Sequence, residues 1–262
     1  MGAPLRSLAL LVALSAAPSL AAPRDHAFTW TSATTPEGES DFQVWSTPRL
    51  GRYANFARVE NRLGWSFGVH SRLETLLFLD VAPEASGPLY DSRFDGRVAS
   101  AWHVRLSDPQ DDGLGFSVLG EVAVGLRSFD LEARLIVDKN WGPFSVALNV
   151  SAAHAFFYGT TGSSNTWVEE SLAATYRIPA GFGMGFEFRS RLSFRRERRL
   201  GNAFMVGPNL SFQSKNFWVA FSFLPQVAAI KGPDSVGDGE PLELRDNERF
   251  VGRLTLGVSP WW

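Results

Sequence analysis

The sequence predicts an all-β fold: a transmembrane antiparallel up-and-down β-barrel of about twelve strands. Three observations predict it. Apolar and polar residues alternate over segments of about ten residues, the length that a tilted strand needs to cross a bilayer. Turn-forming Gly, Pro, Asn and Asp separate these segments, and short connections alternate with longer ones. The chain is 13% aromatic, yet its mean hydropathy is only −0.06, as expected when half of each strand faces lipid and half faces water.

The chain begins with a predicted secretory signal peptide, residues 1–21. Arg6 gives a positive start, Leu8–Ala17 a short apolar run, and Ser19-Leu20-Ala21 a small-x-small cleavage site. The run is too short for a spanning helix. Residues 22–40 form an N-terminal segment that is either periplasmic or inserted into the lumen. Residues 41–262 form the barrel.

The barrel strands follow from the alternation and from the turn residues between them. The even number fits bacterial single-chain barrels. In chain order the predicted strands are 41–47, 53–66, 71–82, 93–107, 114–125, 128–138, 142–157, 166–179, 183–195, 203–213, 216–230 and 249–262.

The segment Gly183–Arg195 shows most clearly which residues face the lumen. Phe186 and Phe188 alternate with Glu187 and Arg189, and a slip of one residue would move the charges into lipid. An arginine at the bilayer midplane of a barrel costs about 2 to 4 kcal/mol, so this register is strongly specified. The same logic along the chain predicts a set of charged residues that line the lumen: Arg58, Glu60, Arg62, Arg72, Glu74, Arg97, Arg105, Glu121, Glu132, Arg134, Glu169, Arg177, Glu187, Arg189, Arg191 and Arg253.

Several tryptophans lie near predicted strand ends, where an amphipathic ring can sit at the level of the lipid headgroups. These are Trp65, Trp141, Trp167, Trp218 and Trp262.

The inward charges allow two interpretations of the lumen. They could line a water-filled passage that selects small solutes by charge, or they could pair across strands and fill a narrow barrel. About eight strands give a filled interior and 16 to 18 an aqueous channel, so twelve strands leave both open. Arginines exceed glutamates in the set, which favours anionic solutes if the path is open.

A cluster of arginines marks one outer connection. Arg195, Arg196, Arg198 and Arg199 are candidates for contact with lipopolysaccharide phosphates, which guanidinium groups can bind bidentately; a solvated charge run is the alternative. The acidic loop Lys231–Glu248 flanks the same hairpin. We expect it to fold against the arginines and partly cover the barrel mouth.

The last strand carries a family resemblance. Leu254, Leu256, Val258 and Trp262 stand at alternate positions up to a C-terminal aromatic. This pattern resembles the final strand of Gram-negative outer-membrane β-barrels. The segment Glu60–Glu74 resembles a strand, tight turn and strand unit of porin-like or transporter-like barrels in a poorly characterised subfamily. The resemblance implies a location in the bacterial outer membrane, contact with outer-membrane lipid and lipopolysaccharide, and insertion by the barrel-assembly machinery.

Other function classes have little support in the sequence. The formal charge of −2 gives no general attraction for nucleic acid. The chain has no cysteine and only four scattered histidines, so we expect no metal and no cofactor. His103 points inward, but no serine stands two residues away, and we predict no enzymatic activity.

Three functions remain, in order of preference. The first is a narrow passive channel or transporter for small polar or amphipathic solutes. The second is a non-conducting structural or interaction barrel that presents its loops to lipopolysaccharide or envelope partners. The third is a lipid-modifying outer-membrane enzyme.

Overall fold

Twelve antiparallel strands close into a single barrel, which confirms the predicted fold class and strand number. The computed structural model describes residues 24–52, 55–86, 91–159, 164–195, 198–233 and 239–259. The predicted signal peptide, together with Arg196 and Trp262, lies outside these residues. In the part of the chain that is described, no helix is long and apolar enough to cross a membrane.

The strands match the predicted segments closely and are longer at several ends. They are β1 (Ser40–Leu50), β2 (Ala57–His70), β3 (Leu73–Ser86), β4 (Asp91–Ser107), β5 (Gly115–Gly125), β6 (Ser128–Trp141), β7 (Phe144–Phe157), β8 (Ser164–Ile178), β9 (Phe182–Arg195), β10 (Arg198–Gln213), β11 (Phe217–Lys231) and β12 (Phe250–Val258).

Each strand pairs with its sequence neighbours, and the first and last strands close the cylinder. In the closing pair, Phe42 lies opposite Val258 and Leu50 opposite Phe250. Closure gives β1 and β12 a partner on both sides, so no backbone edge is left unpaired in lipid.

The wall has an apolar outer face and a polar inner face. On β9, Phe182 and Phe186 are about half exposed, whereas Glu187 and Arg189 are buried in the interior. The exposed apolar side chains can contact acyl chains, while the charges find partners inside the barrel.

Two adjacent glutamates on β8 allow a test of these two faces. Glu169 faces the lumen and pairs with Arg189, while Glu170 is exposed on the outer face. Replacing Glu169 with Leu leaves a buried cation unpaired and should lower the free energy of unfolding by about 3 to 5 kcal/mol. Replacing Glu170 with Leu should raise it by about 1 kcal/mol, since a carboxylate toward lipid is unfavourable. Urea unfolding in phospholipid vesicles measures both, and two changes of the same sign would contradict the assignment of faces.

The N-terminal segment, residues 24–35, lies inside the barrel. It contributes Ala27 and Phe28 to one buried apolar cluster with Met205 and Leu224, and Trp30 to a second cluster around Leu76 and its neighbours. The core of the molecule is therefore built between this segment and the inner face of the wall.

The predicted membrane-interface role of the tryptophans is wrong for two of them. Trp65 and Trp141 are exposed on the outer face, as interfacial rings would be, but Trp218 is buried in the interior and Trp167 lines the central cavity. Trp218 packs opposite Gly257 on β12, where a Cβ atom would lie 2.2 Å from the indole ring. A glycine at this position makes room for the ring.

Candidate functional site

A cavity of about 340 Å3 occupies the lumen. Nine arginines and eight carboxylates line it, so its wall is nearly neutral overall but strongly ionic. Arg52 and Phe56, in the connection between β1 and β2, lie at one end of the cavity, and Phe28 and Trp30 of the N-terminal segment lie at the other. The cavity thus extends from the outer mouth to a floor made by the N-terminal segment.

Ion pairs on β2 to β6 form one side of the wall. The Arg62 guanidinium contacts Asp80 at 2.6 Å and Glu121 at 2.8 Å. Arg97 contacts the same Asp80 and also Asp130, at 3.0 Å. Each arginine joins carboxylates on two other strands, so this network fixes the side chains that shape the cavity.

A second group of ion pairs lies nearer the barrel seam and on β6 to β9. Arg49 Nε contacts Glu60 at 2.9 Å, Arg134 contacts Glu132 at 2.6 Å, and Arg189 pairs with Glu169. These ion pairs narrow the lumen. They do not provide every guanidinium group around the cavity with a carboxylate partner.

Of the sixteen residues predicted to line the lumen, eleven line this cavity. They are Arg58, Glu60, Arg62, Arg97, Glu121, Glu132, Arg134, Glu169, Arg189, Arg191 and Arg253. Three more, Glu74, Arg177 and Glu187, contact the N-terminal segment instead.

The last two predicted residues lie at the end of the barrel that carries the β2–β3 and β4–β5 turns. Arg105 pairs with Asp108 at 2.7 Å. Arg72 is not in the lumen: β2 continues to His70 and β3 begins at Leu73, so Arg72 lies in an exposed turn. The prediction for Arg72 is wrong because β3 begins at Leu73, two residues after the predicted start at Ser71.

Glu187 is the main anchor of the N-terminal segment. Its carboxylate accepts hydrogen bonds from the backbone N–H groups of Phe28 at 3.1 Å and Thr29 at 3.0 Å, and from the hydroxyl of Ser222. Glu187 is fully buried. One wall carboxylate therefore satisfies two backbone donors that would otherwise be unpaired inside the barrel.

Further wall residues hold the rest of the segment. Asn149 accepts from Trp30 N at 2.7 Å and donates to Trp30 O at 2.8 Å. Asp138 accepts from Ser32 N at 2.8 Å. At the start of the segment Asp25 pairs with Arg177. These contacts spread over strands β6 to β9, so the segment crosses the lumen.

His26 also holds the N-terminal segment in the lumen. Its Nδ1 atom lies 3.0 Å from the Thr175 hydroxyl, in the barrel interior. Burial lowers the pKa of His26, which keeps the ring neutral at physiological pH.

The loop before β12 folds into the outer mouth. Gln226 on β11 accepts from Glu243 N at 2.8 Å and donates to Glu243 O at 3.1 Å. Glu248 is buried and pairs with Arg49 and Arg52. Burial alone would raise the pKa of Glu248, but these arginines and Arg191 lower it to about 2. The loop is therefore tied to the inner wall by an ionised carboxylate.

The arginine-rich rim meets this loop at one point. Arg195 Nη2 lies 3.3 Å from Asp246 Oδ1, the type of contact expected between the basic and acidic loops. Arg198 and Arg199 are exposed, and Arg196 lies outside the described residues. The rim thus presents three described guanidinium groups at the outer end of the barrel.

A serine, a histidine and a glutamate are hydrogen-bonded in line beneath the cavity floor. His103 Nε2 lies 2.8 Å from Ser117 Oγ, and Nδ1 lies 3.2 Å from Glu74 Oε2. Thr35 donates to the other oxygen of Glu74 at 2.7 Å, and Trp30 packs edge-on against the imidazole. Ser117 and His103 have no exposed surface, so no substrate carbonyl can approach the hydroxyl in this arrangement.

The sequence pattern along β4 does not indicate Ser117 as a partner of His103, because Ser117 lies on a different strand. The partner comes from β5, where Ser117 lies opposite Arg105. The predicted set of lumen-lining residues also lacks Asp80, which lies three strand periods after Glu74 and continues the same inward alternation. Extending that pattern would have found it.

Among the described residues, no group of three His, Asp or Glu side chains could hold a metal ion.

The fold is shared with solved outer-membrane proteins. The COG4313 outer membrane channel from Pseudomonas putida F1 is 12% identical with a TM-score of 0.63, covering 86% of this chain and 96% of that one. The KdgM porin (10% identical, TM-score 0.52) covers 84% and 99%. The NanC porin (10% identical, TM-score 0.51) covers 84% and 100%.

No protein-family model matches the chain, and no curated protein sequence matches it significantly. The identities to the solved structures are low, so the likeness concerns the fold. The closed twelve-strand wall, the apolar outer face and the ionic interior give this chain the fold of these outer-membrane barrels.

Proposed function

We propose that the barrel is a narrow passive channel for small polar or amphipathic solutes. The observation that carries this proposal is the ion-lined cavity of about 340 Å3, whose floor is the N-terminal segment rather than the wall. A wall of fixed charges keeps water and polar solutes in the lumen. The floor is held by hydrogen bonds and packing, so it can be displaced without breaking the barrel.

Current measurements in planar lipid bilayers test this proposal. Insertion of the purified full chain should give discrete current steps whose size grows with salt concentration. We expect small steps, because the N-terminal segment occupies the lumen beneath the cavity. Insertion without any current, even under an applied voltage, would contradict a channel.

The same segment also favours a second function, a non-conducting barrel that presents its loops outside. The rim arginines Arg195, Arg198 and Arg199 then serve as contacts for lipopolysaccharide phosphates. Replacing all three with Gln should weaken binding of lipopolysaccharide to the purified barrel without changing the bilayer current. Silent bilayers together with this loss of binding would favour the second function.

The cellular setting belongs to the same proposal. Residues 1–21 direct export, the barrel-assembly machinery inserts the chain, and the apolar outer face meets outer-membrane lipid.

We further propose that Ser117, His103 and Glu74 act structurally and that the barrel is not an enzyme. A Ser117→Ala variant should then conduct as the wild type does, and the wild type should not react with a fluorophosphonate probe.

A further inference from the structure

The charges around the cavity are unevenly paired. On the side formed by β9 and β12, neither Arg191 nor Arg253 has a carboxylate oxygen within 4.0 Å among the described residues. The opposite side, around Asp80, has every guanidinium in at least one ion pair. An excess of positive charge therefore faces the cavity from one side.

Two guanidinium N–H donors on β9 have no hydrogen-bond partner within the part of the chain that the structure describes. The Nε atoms of Arg189 and Arg191 are buried and form no hydrogen bond. The side chain of Arg189 is only 5% exposed, and its single ion pair, to Glu169, uses Nη2. A buried charged donor without an acceptor is unfavourable. Since the side chains of Arg189 and Arg191 line the cavity, an anion there would stabilise both guanidinium groups.

Aromatic rings lie beside these cations. The guanidinium of Arg253 is 4.2 Å from the centre of the Phe28 ring, and that of Arg189 is 5.1 Å from it. Arg191 lies 5.5 Å from the centre of the Trp167 ring. Since Phe28 and Trp167 both line the cavity, a ligand held by the arginines would also meet apolar surface.

We propose that this side of the cavity is a binding site for a small organic acid. The carboxylate lies between the guanidinium groups of β9 and that of Arg253, and the apolar body rests on Phe28 and Trp167. This inference rests on the proposed channel function and specifies its solute class. A volume of about 340 Å3 is at the lower end of ligand pockets, which suits one small molecule.

Titration calorimetry of the full chain in a neutral detergent tests the site, with benzoate as the probe. Benzyl alcohol, a neutral molecule of similar size, and inorganic phosphate, an anion without an apolar body, are the comparison ligands. We expect benzoate to bind and both comparison ligands to bind at least about tenfold more weakly. Benzyl alcohol has no negative charge to pair with the arginines, and phosphate has no apolar body to contact Phe28 and Trp167.

Two substitutions locate the site, and one controls for loss of positive charge. Arg191→Gln and, separately, Arg253→Gln should each weaken benzoate binding about tenfold or more. Arg72→Gln removes the same charge from the exposed turn between β2 and β3 and should leave binding unchanged. A heat-dependent shift in gel mobility shows that each variant is folded.

Three results would overturn the inference: no benzoate binding, equal binding of phosphate, or unchanged binding in both folded variants. A different result would contradict the channel proposal. Benzoate binding that is lost in Arg191→Gln, in a protein that gives no bilayer current, would support the acid site and contradict conduction.

Discussion

Deleting residues 24–35 is expected to raise the single-channel conductance on the order of tenfold. The segment crosses the lumen beneath the cavity and fills it with Phe28 and Trp30. Without it, a twelve-strand cylinder keeps only its own inward side chains, between the filled small barrels and the open large ones. Planar bilayer recordings measure the change directly.

A second variant separates loss of the contacts from shortening of the chain. Replacing residues 24–35 with a Gly-Ser sequence of equal length keeps the chain length but removes Phe28, Trp30 and Asp25. We expect this variant to show high conductance with frequent brief closures. If both variants fold and conduct at the wild-type level, the segment does not close the channel.

Replacing Glu187 with Leu is expected to release the segment without deleting it. The substitution leaves the backbone N–H groups of Phe28 and Thr29 without their acceptor. Each buried donor without a partner costs about 1 to 3 kcal/mol. The segment should therefore spend more time away from the wall, and the fraction of time in a high-conductance state should rise at least about tenfold.

Two matched variants make this second prediction specific. Glu187→Gln keeps one acceptor oxygen and should give an intermediate effect. Glu170→Leu removes a carboxylate from the outer face of the neighbouring strand and should leave the current unchanged. A wild-type current record for Glu187→Leu would contradict the anchoring role of this carboxylate.

The strands were predictable because their signal is local. On β9, alternation of Phe186 and Phe188 with Glu187 and Arg189 fixes which face meets lipid, since the wrong register would expose charges to acyl chains. The same argument along the chain predicts all twelve strands. The alternation does not mark the strand ends as sharply. The predicted third strand begins at Ser71, but β3 begins at Leu73, which leaves Arg72 in the turn.

The alternation pattern of single strands does not predict that the N-terminal segment closes the lumen. The contact between Phe28 and Glu187 joins residues 159 positions apart, and nothing local to residues 24–35 indicates which wall groups accept their N–H donors. Trp218 illustrates the same limit. Its position near a strand end suggests the membrane interface, but Gly257 opposite provides space for the ring inside the barrel.

The position of the N-terminal segment inside the barrel can be measured most directly with a disulfide. Thr35 Oγ1 and Ser66 Oγ lie 3.0 Å apart, joining the segment to β2, and the chain has no cysteine to interfere. The double variant Thr35→Cys, Ser66→Cys should form an intramolecular disulfide in the folded barrel, since the two side chains are in direct contact. The bond is detected as a change in gel mobility that a reductant reverses. Neither single variant should show the change. Two free thiols in the folded, oxidised double variant would contradict the placement of the segment in the lumen.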